Sequence, residues 1–405
     1  MKYIDGGVTA PKGFTANGVL SGIKPGRTKN DTALIYSEKP CAAAGVFTQN
    51  RVQAECVKLS KRHIASGTAQ AVIANSGNAN ACTGIRGAEN AYRMAKAAAA
   101  AVGVSAESVL VCSTGVIGQQ LPVETIEAHV SALAAGLSKD GHAAAREAIM
   151  TTDTVYKECA VETVIGGKSV RIGTMAKGSG MIHINLGTML AFITTDCAVS
   201  AAMLDEALRL SVAGTYNCVS VDGDTSTNDT LLLLANGEAG NAEITAFGAD
   251  FDAFVAALNA VNVQMAKKIA ADGEGARHLI ECRVSGAQSV DAARILAKSV
   301  ISSSLVKAAF FGRDANWGRI LCAMGYSGAF FTPEKTSVAF SNAAGSIEVF
   351  HEGVPLDFDE SKAKLILSEK ETLISVQLAD GTAEGTAWGC DLTYDYVKIN
   401  GDYRT

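Results

Sequence analysis

The chain has 405 residues, 48% of them apolar and 19% charged, enough to bury a large core as one big domain or two intimate ones. With 41 acidic against 35 basic residues it carries a net charge of −6, and no Lys/Arg cluster could neutralise a run of phosphates, which argues against nucleic acid as a partner. The opening Met-Lys-Tyr-Ile-Asp-Gly-Gly lacks the apolar segment of a signal peptide. No stretch approaches the roughly 20 apolar residues of a membrane span, so a cytoplasmic location without membrane contact is expected.

In chain order, residues 88–102 form an alanine-rich pattern predicting a helix that ends at Gly103, and residues 108–112 a short strand. A strand-to-helix turn is expected over 113–118, with Pro122 in the first turn of the helix that follows. Residues 158–172 alternate around Gly166-Gly167 as a hairpin does, and residues 188–193 read as a central strand. Helices are predicted over 200–213, 251–271 and 291–308, strands over 231–235 and 279–284, and a mostly β region over 336–397. Interleaved helices and strands, six prolines and no linker or internal repeat predict a compact, layered α/β fold.

Several clusters could carry chemistry. In the 113–118 turn, the Thr114 hydroxyl and the Gly115 N–H could stabilise an oxyanion, or the turn could be a plain loop. Glu274 stands between two glycines, where a carboxylate can enter a cleft and hold an ammonium, or simply face solvent. Asp222-Gly-Asp-Thr-Ser-Thr-Asn-Asp229 looks superficially like a calcium loop, but Thr227 replaces the required glycine and Leu233 the bidentate glutamate. Its side chains are expected to bond their own backbone. The run Phe311-Gly-Arg-Asp-Ala-Asn-Trp-Gly-Arg319 suggests a buried polar network or an interface. Ten scattered cysteines without Cys-x-x-Cys read as reduced core residues, though Cys112 and Cys197 flank candidate segments and a thiol nucleophile has to be weighed. No zinc, serine-hydrolase or phosphate-loop pattern is present, and neither metal nor tightly bound cofactor is expected.

The glycine-rich stretch from Lys177 leads to Gly187-Thr188. It reads either as the start of a buried strand or as a place where the chain cuts itself. In the second reading the Thr188 hydroxyl attacks the Gly187 carbonyl, the amide becomes an ester, and water cleaves it. The freed α-amine, with a reference pKa of about 7.7–8.0, then serves as base for the hydroxyl on the same residue.

Together these segments resemble the glutamate N-acetyltransferase family of arginine biosynthesis, also called ornithine acetyltransferase. The resemblance is carried by Gly6-Gly-Val-Thr-Ala-Pro-Lys-Gly-Phe14, Ala43-Ala-Gly-Val-Phe-Thr-Gln-Asn50, Asn75-Ser-Gly-Asn-Ala-Asn-Ala-Cys-Thr-Gly84, Ser113-Thr-Gly-Val-Ile-Gly118 and Met150-Thr-Thr-Asp-Thr154. It continues through Lys177-Gly-Ser-Gly-Met-Ile182, Thr188-Met-Leu-Ala-Phe-Ile-Thr-Thr-Asp196, residues 220–229, Gly312-Arg-Asp-Ala-Asn-Trp-Gly-Arg319 and Ile399-Asn-Gly-Asp-Tyr-Arg-Thr405, nearly end to end.

The resemblance implies a layered fold of the self-cleaving N-terminal-nucleophile type, cut between Gly187 and Thr188 into an α fragment, 1–187, and a β fragment, 188–405, intertwined in one catalytic unit. Such fragments associate as two α and two β. Thr188 is then the nucleophile that takes acetyl from N2-acetylornithine and passes it to glutamate, with acetyl-CoA left open as a further donor. Thr114 and Gly115 match oxyanion positions, and Thr154, Lys177, Thr188, Glu274, Asn400 and Thr405 match substrate-binding positions. An N-terminal-nucleophile aminopeptidase or amidase is the alternative, using the same threonine but releasing product to water. Two departures stand out. Ile184-Asn-Leu-Gly-Thr188 replaces the usual Pro-Asn-Met-Ala-Thr, so slower self-processing is expected, and Ala276-Arg-His278 replaces Ala-Thr-Lys beside Glu274.

Overall fold

The computed structural model describes residues 1–183 and 189–402. Gly187, Thr188 and Thr405, and the departure at Ile184, lie outside the described residues.

Two mixed sheets and the helices between and around them make the layered α/β architecture the sequence predicts. The first sheet has nine strands, and its long path runs in the order Lys2–Ile4, Lys157–Ile165, Lys168–Lys177, Leu190–Thr195, Thr230–Ala235, Thr32–Phe47, Thr68–Asn78, Val109–Val116. The hairpin around Gly166 and Gly167 is present and extends through Lys177. Strands Leu190–Thr195 and Thr230–Ala235 pair in parallel in the middle of this sheet, flanked on both sides by strands from earlier in the chain. Conversely, Ile182–His183 pairs with Val219–Thr225 at the edge of the eight-stranded second sheet, otherwise built from residues after 218. The regions before and after residue 188 therefore share both sheets.

Strand alternation fixes the layers. Ile73, Val109 and Val111 face a core formed with helices Glu55–His63 and Gly84–Val102, whereas Val72, Leu110 and Cys112 face the opposite core with Phe14 and Phe192. Helix Ala249–Ala271 is buried on both sides: it packs on Lys157–Ile165 and Lys168–Lys177 of the first sheet and on Leu279–Ala287 and Ala383–Cys390 of the second. Phe254, Leu258, Val261 and Ile269 along it join a core that spans both sheets.

Three expectations need correction. The strand predicted to stop at Cys112 runs on to Val116, so residues 113–116 are not a turn. The helix predicted over 291–308 is two, Val290–Ser302 and Ser304–Gly312, bent by 57°. Ser303 takes an extended conformation between them and its hydroxyl accepts from the Val306 N–H, capping the second helix. Third, of the two readings of 311–319 the buried polar network does not hold, while the interface stays open: Arg313 and Asp314 are exposed, Asn316 caps helix Trp317–Gly325, and Trp317 stacks on Phe350. The C-terminal region is largely β as expected, with helices Glu360–Ile366 and Tyr394–Asp402 added. Among the described residues no single helix is long and apolar enough to cross a membrane.

Candidate active site

The parallel strands Thr68–Asn78 and Val109–Val116 lose register at Gly77 and Asn78. Gly115, opposite, has φ +131°, and a Cβ there would stand 2.3 Å from the Gly77 carbonyl carbon and 2.6 Å from the Asn78 nitrogen. Those are backbone atoms of a paired strand and cannot step aside, so the irregularity requires glycine. Its effect is to bring Thr114 and Gly115 to the wall of a cleft. Asn228, from the connection between Val219–Thr225 and Thr230–Ala235, braces this strand end. Its amide nitrogen donates to Ala79 O at 2.5 Å and Ser113 O at 2.8 Å, while its oxygen accepts from the Thr227 hydroxyl at 2.6 Å.

Across the cleft Lys177 ends its strand, with Nζ donating to the Thr151 hydroxyl at 3.2 Å. Burial lowers its pKa below the ordinary lysine value, while Asp153, Asp229 and Glu274 work in the opposite direction. Glu274 leaves the end of helix Ala249–Ala271 and folds back, its N–H donating to Ser179 O at 3.0 Å. Glu274 is 8% exposed as a residue, and its carboxylate accepts from Asn400 Nδ2 at 2.7 Å. A Cβ on Gly180 would lie 2.3 Å from the Glu274 carboxyl carbon, so glycine at 180 makes room for this carboxylate. The departure beside Glu274 has a structural use. Arg277 and His278 N–H groups both donate to Asp391 Oδ1, at 2.8 and 3.0 Å, and Arg277 pairs with Asp395, tying the loop to the entrance of the C-terminal helix.

Beneath the cleft Lys157, its side chain wholly buried, lies 2.7 Å from Asp153 and 2.5 Å from Asp272. Asp153 accepts in turn from the N–H groups of Thr151 at 3.1 Å and Gly178 at 2.7 Å. Asp272 accepts from the Thr154 N–H at 3.0 Å and from its hydroxyl, and the Asp272 carbonyl accepts from Ser179 Oγ at 2.5 Å. Burial pushes the Asp153 carboxyl up, but Lys157, Lys177 and the Gly178 N–H together hold it below its ordinary value. One ammonium thus links the segments 151–154, 177–179 and 272–274.

Thr114, Gly115, Lys177, Glu274 and Asn400 line a single cleft, and Met189, the first described residue after the gap, lines it as well. Thr154 is elsewhere: it is exposed on the neighbouring cleft beside Val155 and Ile399. Thr151 and Thr152 line the main cleft in its place, together with Asp229 and Asn228. The reading of 222–229 as a self-bonded connection found this segment but not its contribution to the cleft. Nothing in the sequence marked Lys157, an ordinary lysine at the start of a strand. Of the ten free cysteines, Cys82 and Cys322 are exposed and Cys159 half-buried, against the expectation that they lie in the core. A thiolate role finds no support, since burial drives the Cys112 thiol well above its ordinary value and Cys197 up to about 12.

The two shared sheets and the polar cleft lined by Thr114, Gly115, Lys177, Glu274 and Asn400 define an α/β protein with a composite site assembled from distant parts of the chain. The family model described as the ArgJ family matches residues 15–405, and the chain belongs to that family. It is 54% identical to the arginine biosynthesis bifunctional protein ArgJ of Symbiobacterium thermophilum, over 100% of both chains. It is 53% identical to ArgJ 1 of Clostridium acetobutylicum, over 97% of this chain and 96% of that one. Among solved structures, a chain of ArgJ from Bacillus halodurans is 44% identical, with a TM-score of 0.51, and is covered over 100% of its length by 53% of this chain.

Proposed function

We propose that the chain transfers acetyl from N2-acetylornithine to glutamate, giving ornithine and N-acetylglutamate, through an acetyl ester on Thr188. Membership of the ArgJ family supports the reaction. The observation that carries the site assignment is that Thr114, Gly115, Lys177, Glu274 and Asn400, scattered over almost 300 positions, converge on one cleft beside Met189.

In this reading Thr188 first attacks the Gly187 carbonyl. The C–N bond breaks as the ester forms, and hydrolysis leaves a Gly187 carboxylate and a free Thr188 amine and hydroxyl. The released amine takes the hydroxyl proton as Thr188 attacks the acetyl carbonyl, and returns it to the leaving ornithine nitrogen. Thr114 and Gly115 stabilise the tetrahedral oxyanion. Lys177 pairs with the substrate α-carboxylate and Glu274 with the ornithine side-chain ammonium, two groups of opposite charge lining the same cleft. Glutamate then attacks the ester through its amine.

Cleavage fits the topology, because strands from both sides of residue 188 lie within the same two sheets and the fragments would stay joined after the cut. The β fragment, 405 − 187 = 218 residues, is also close in share to the 53% of this chain matched by the complete chain from Bacillus halodurans. Two α and two β fragments per assembly, a cytoplasmic location and acetyl-CoA as a second donor belong to the same proposal. The word bifunctional in the relatives' names supports the second donor.

The test is incubation of purified protein with N2-acetylornithine and glutamate. Equimolar ornithine and N-acetylglutamate are expected. Free acetate in place of N-acetylglutamate would make the protein a hydrolase and end the proposal. Gly180→Ala, whose added methyl displaces the Glu274 carboxylate, is expected to raise KM for N2-acetylornithine about tenfold with a smaller change in kcat. Steady-state kinetics check this.

A further inference from the structure

Both carboxylate oxygens of Asp222 are occupied by backbone from the far side of the second sheet's edge. Oδ2 accepts from the Met181 N–H at 2.5 Å and Oδ1 from the Ile182 N–H at 2.8 Å. Met181 has φ +55°, in the left-handed region that a residue carrying a Cβ seldom enters unless something holds it there. Immediately beyond, His183 pairs with Ser220, and its carbonyl accepts from the Thr225 hydroxyl at 3.2 Å. On the other side of the 184–188 stretch, the Thr230 N–H donates to Met189 O at 3.0 Å. A single connection, from Ser220 to Thr230, therefore grips the chain both before and after the scissile peptide.

We infer that Asp222 is a positioning residue for self-cleavage, holding Met181 in its left-handed turn and so fixing the strand Ile182–His183 from which the chain continues toward residue 188. The inference rests on the self-cleavage reading. The role asked of Asp222 is to hold backbone N–H groups, and it requires no proton transfer. The Asp224 N–H also donates to Oδ1, at 3.2 Å, so an amide at 222, which keeps the shape but offers only one accepting oxygen, gives up at least one of the two bonds to Met181 and Ile182 and weakens those that remain by removing the charge.

The experiment follows the full-length chain after synthesis in vitro, timing the appearance of two fragments by intact mass. Asp222→Asn is expected to cut at least about tenfold more slowly than wild type, the fold-change carried by one charge-assisted hydrogen bond. Adding Met181→Gly, which removes the steric cost of the left-handed conformation, is expected to restore cleavage about fivefold. Folding is checked in the uncut Thr188→Ala background, where introducing Asp222→Asn should leave the melting midpoint nearly unchanged. Cleavage of Asp222→Asn at the wild-type rate overturns the inference, and so does slowing that is accompanied by unfolding in the uncut background and not relieved by Met181→Gly. A wild-type chain that stays whole would instead overturn the self-cleavage reading itself.

Discussion

Replacing Thr188 by alanine is expected to leave the chain whole and to abolish acetyl transfer. Alanine has no Oγ, so no ester forms at Gly187 and the peptide to residue 188 persists. Without the cut, the α-amine stays locked in an amide and has no basicity, so nucleophile and base disappear together. Loss of a covalent nucleophile of this kind is expected to reduce transfer by about 10⁴-fold or more, about 5 kcal/mol of transition-state stabilisation at 1.36 kcal/mol per tenfold. Intact mass should give one species of 405 residues instead of fragments of 187 and 218. Thr188→Ser, which keeps the hydroxyl, should still cut and still turn over. Fragments or normal turnover from the alanine variant would remove the basis of the functional proposal.

The second large effect is expected from Lys157→Met. Methionine fills similar volume but leaves Asp153 and Asp272 facing each other without the ammonium that now lies 2.7 and 2.5 Å from them. Breaking a buried ion network by removing one partner costs about 3–5 kcal/mol. Against an unfolding entropy of about 2.1 cal/mol/K per residue, that lowers the melting midpoint by about 4–6 °C. The loss should be accompanied by weaker substrate binding, because Asp153 positions Gly178 next to Lys177, and Asp272 holds Ser179, whose carbonyl anchors Glu274.

The pH dependence separates this network from general destabilisation. In the wild type the Asp153 pKa is held below its unfolded value, so its contribution is present above the unfolded pKa and is lost as pH falls through the lower folded one. In Lys157→Met the desolvation of Asp153 has lost its main opposing charge, and its folded pKa should rise above the unfolded value. Its stabilising contribution is then present at low pH and lost as pH rises through the folded pKa. Melting curves from pH 4 to 8 should accordingly show the deficit of the variant growing with pH. A deficit independent of pH would show that Asp153 is not the group left uncompensated.

The periodic elements were legible in the residues themselves. The helix ending at Gly103, the hairpin at Gly166-Gly167 and the helix capped by Ser200 each carry a local signal, a left-handed cap, a tight turn or a side-chain acceptor, that works without the rest of the chain. Where prediction failed, a distant partner decided. The strand through Thr114 and Gly115 continues past Cys112 because Thr68–Asn78 supplies hydrogen bonds along it. The break at Ser303 is the exception, a local serine cap on a second helix in place of a continued first one. Residue chemistry pointed to Thr114, Gly115, Lys177, Glu274 and Asn400 through their motifs and the family resemblance those motifs carry, but it could not place Thr154 on the neighbouring cleft or mark Lys157.

By itself, the order of residues determined the α/β class and the family, and it named the candidate groups for acyl transfer. Only the tertiary structure decided which of those groups share a cleft and what holds them there. The reason is physical: hydrophobic period, caps and turns act over a few neighbouring residues, whereas an ammonium buried between two carboxylates, or a carboxylate gripping backbone 41 positions away, exists only after the two sheets have brought distant segments within about 3 Å.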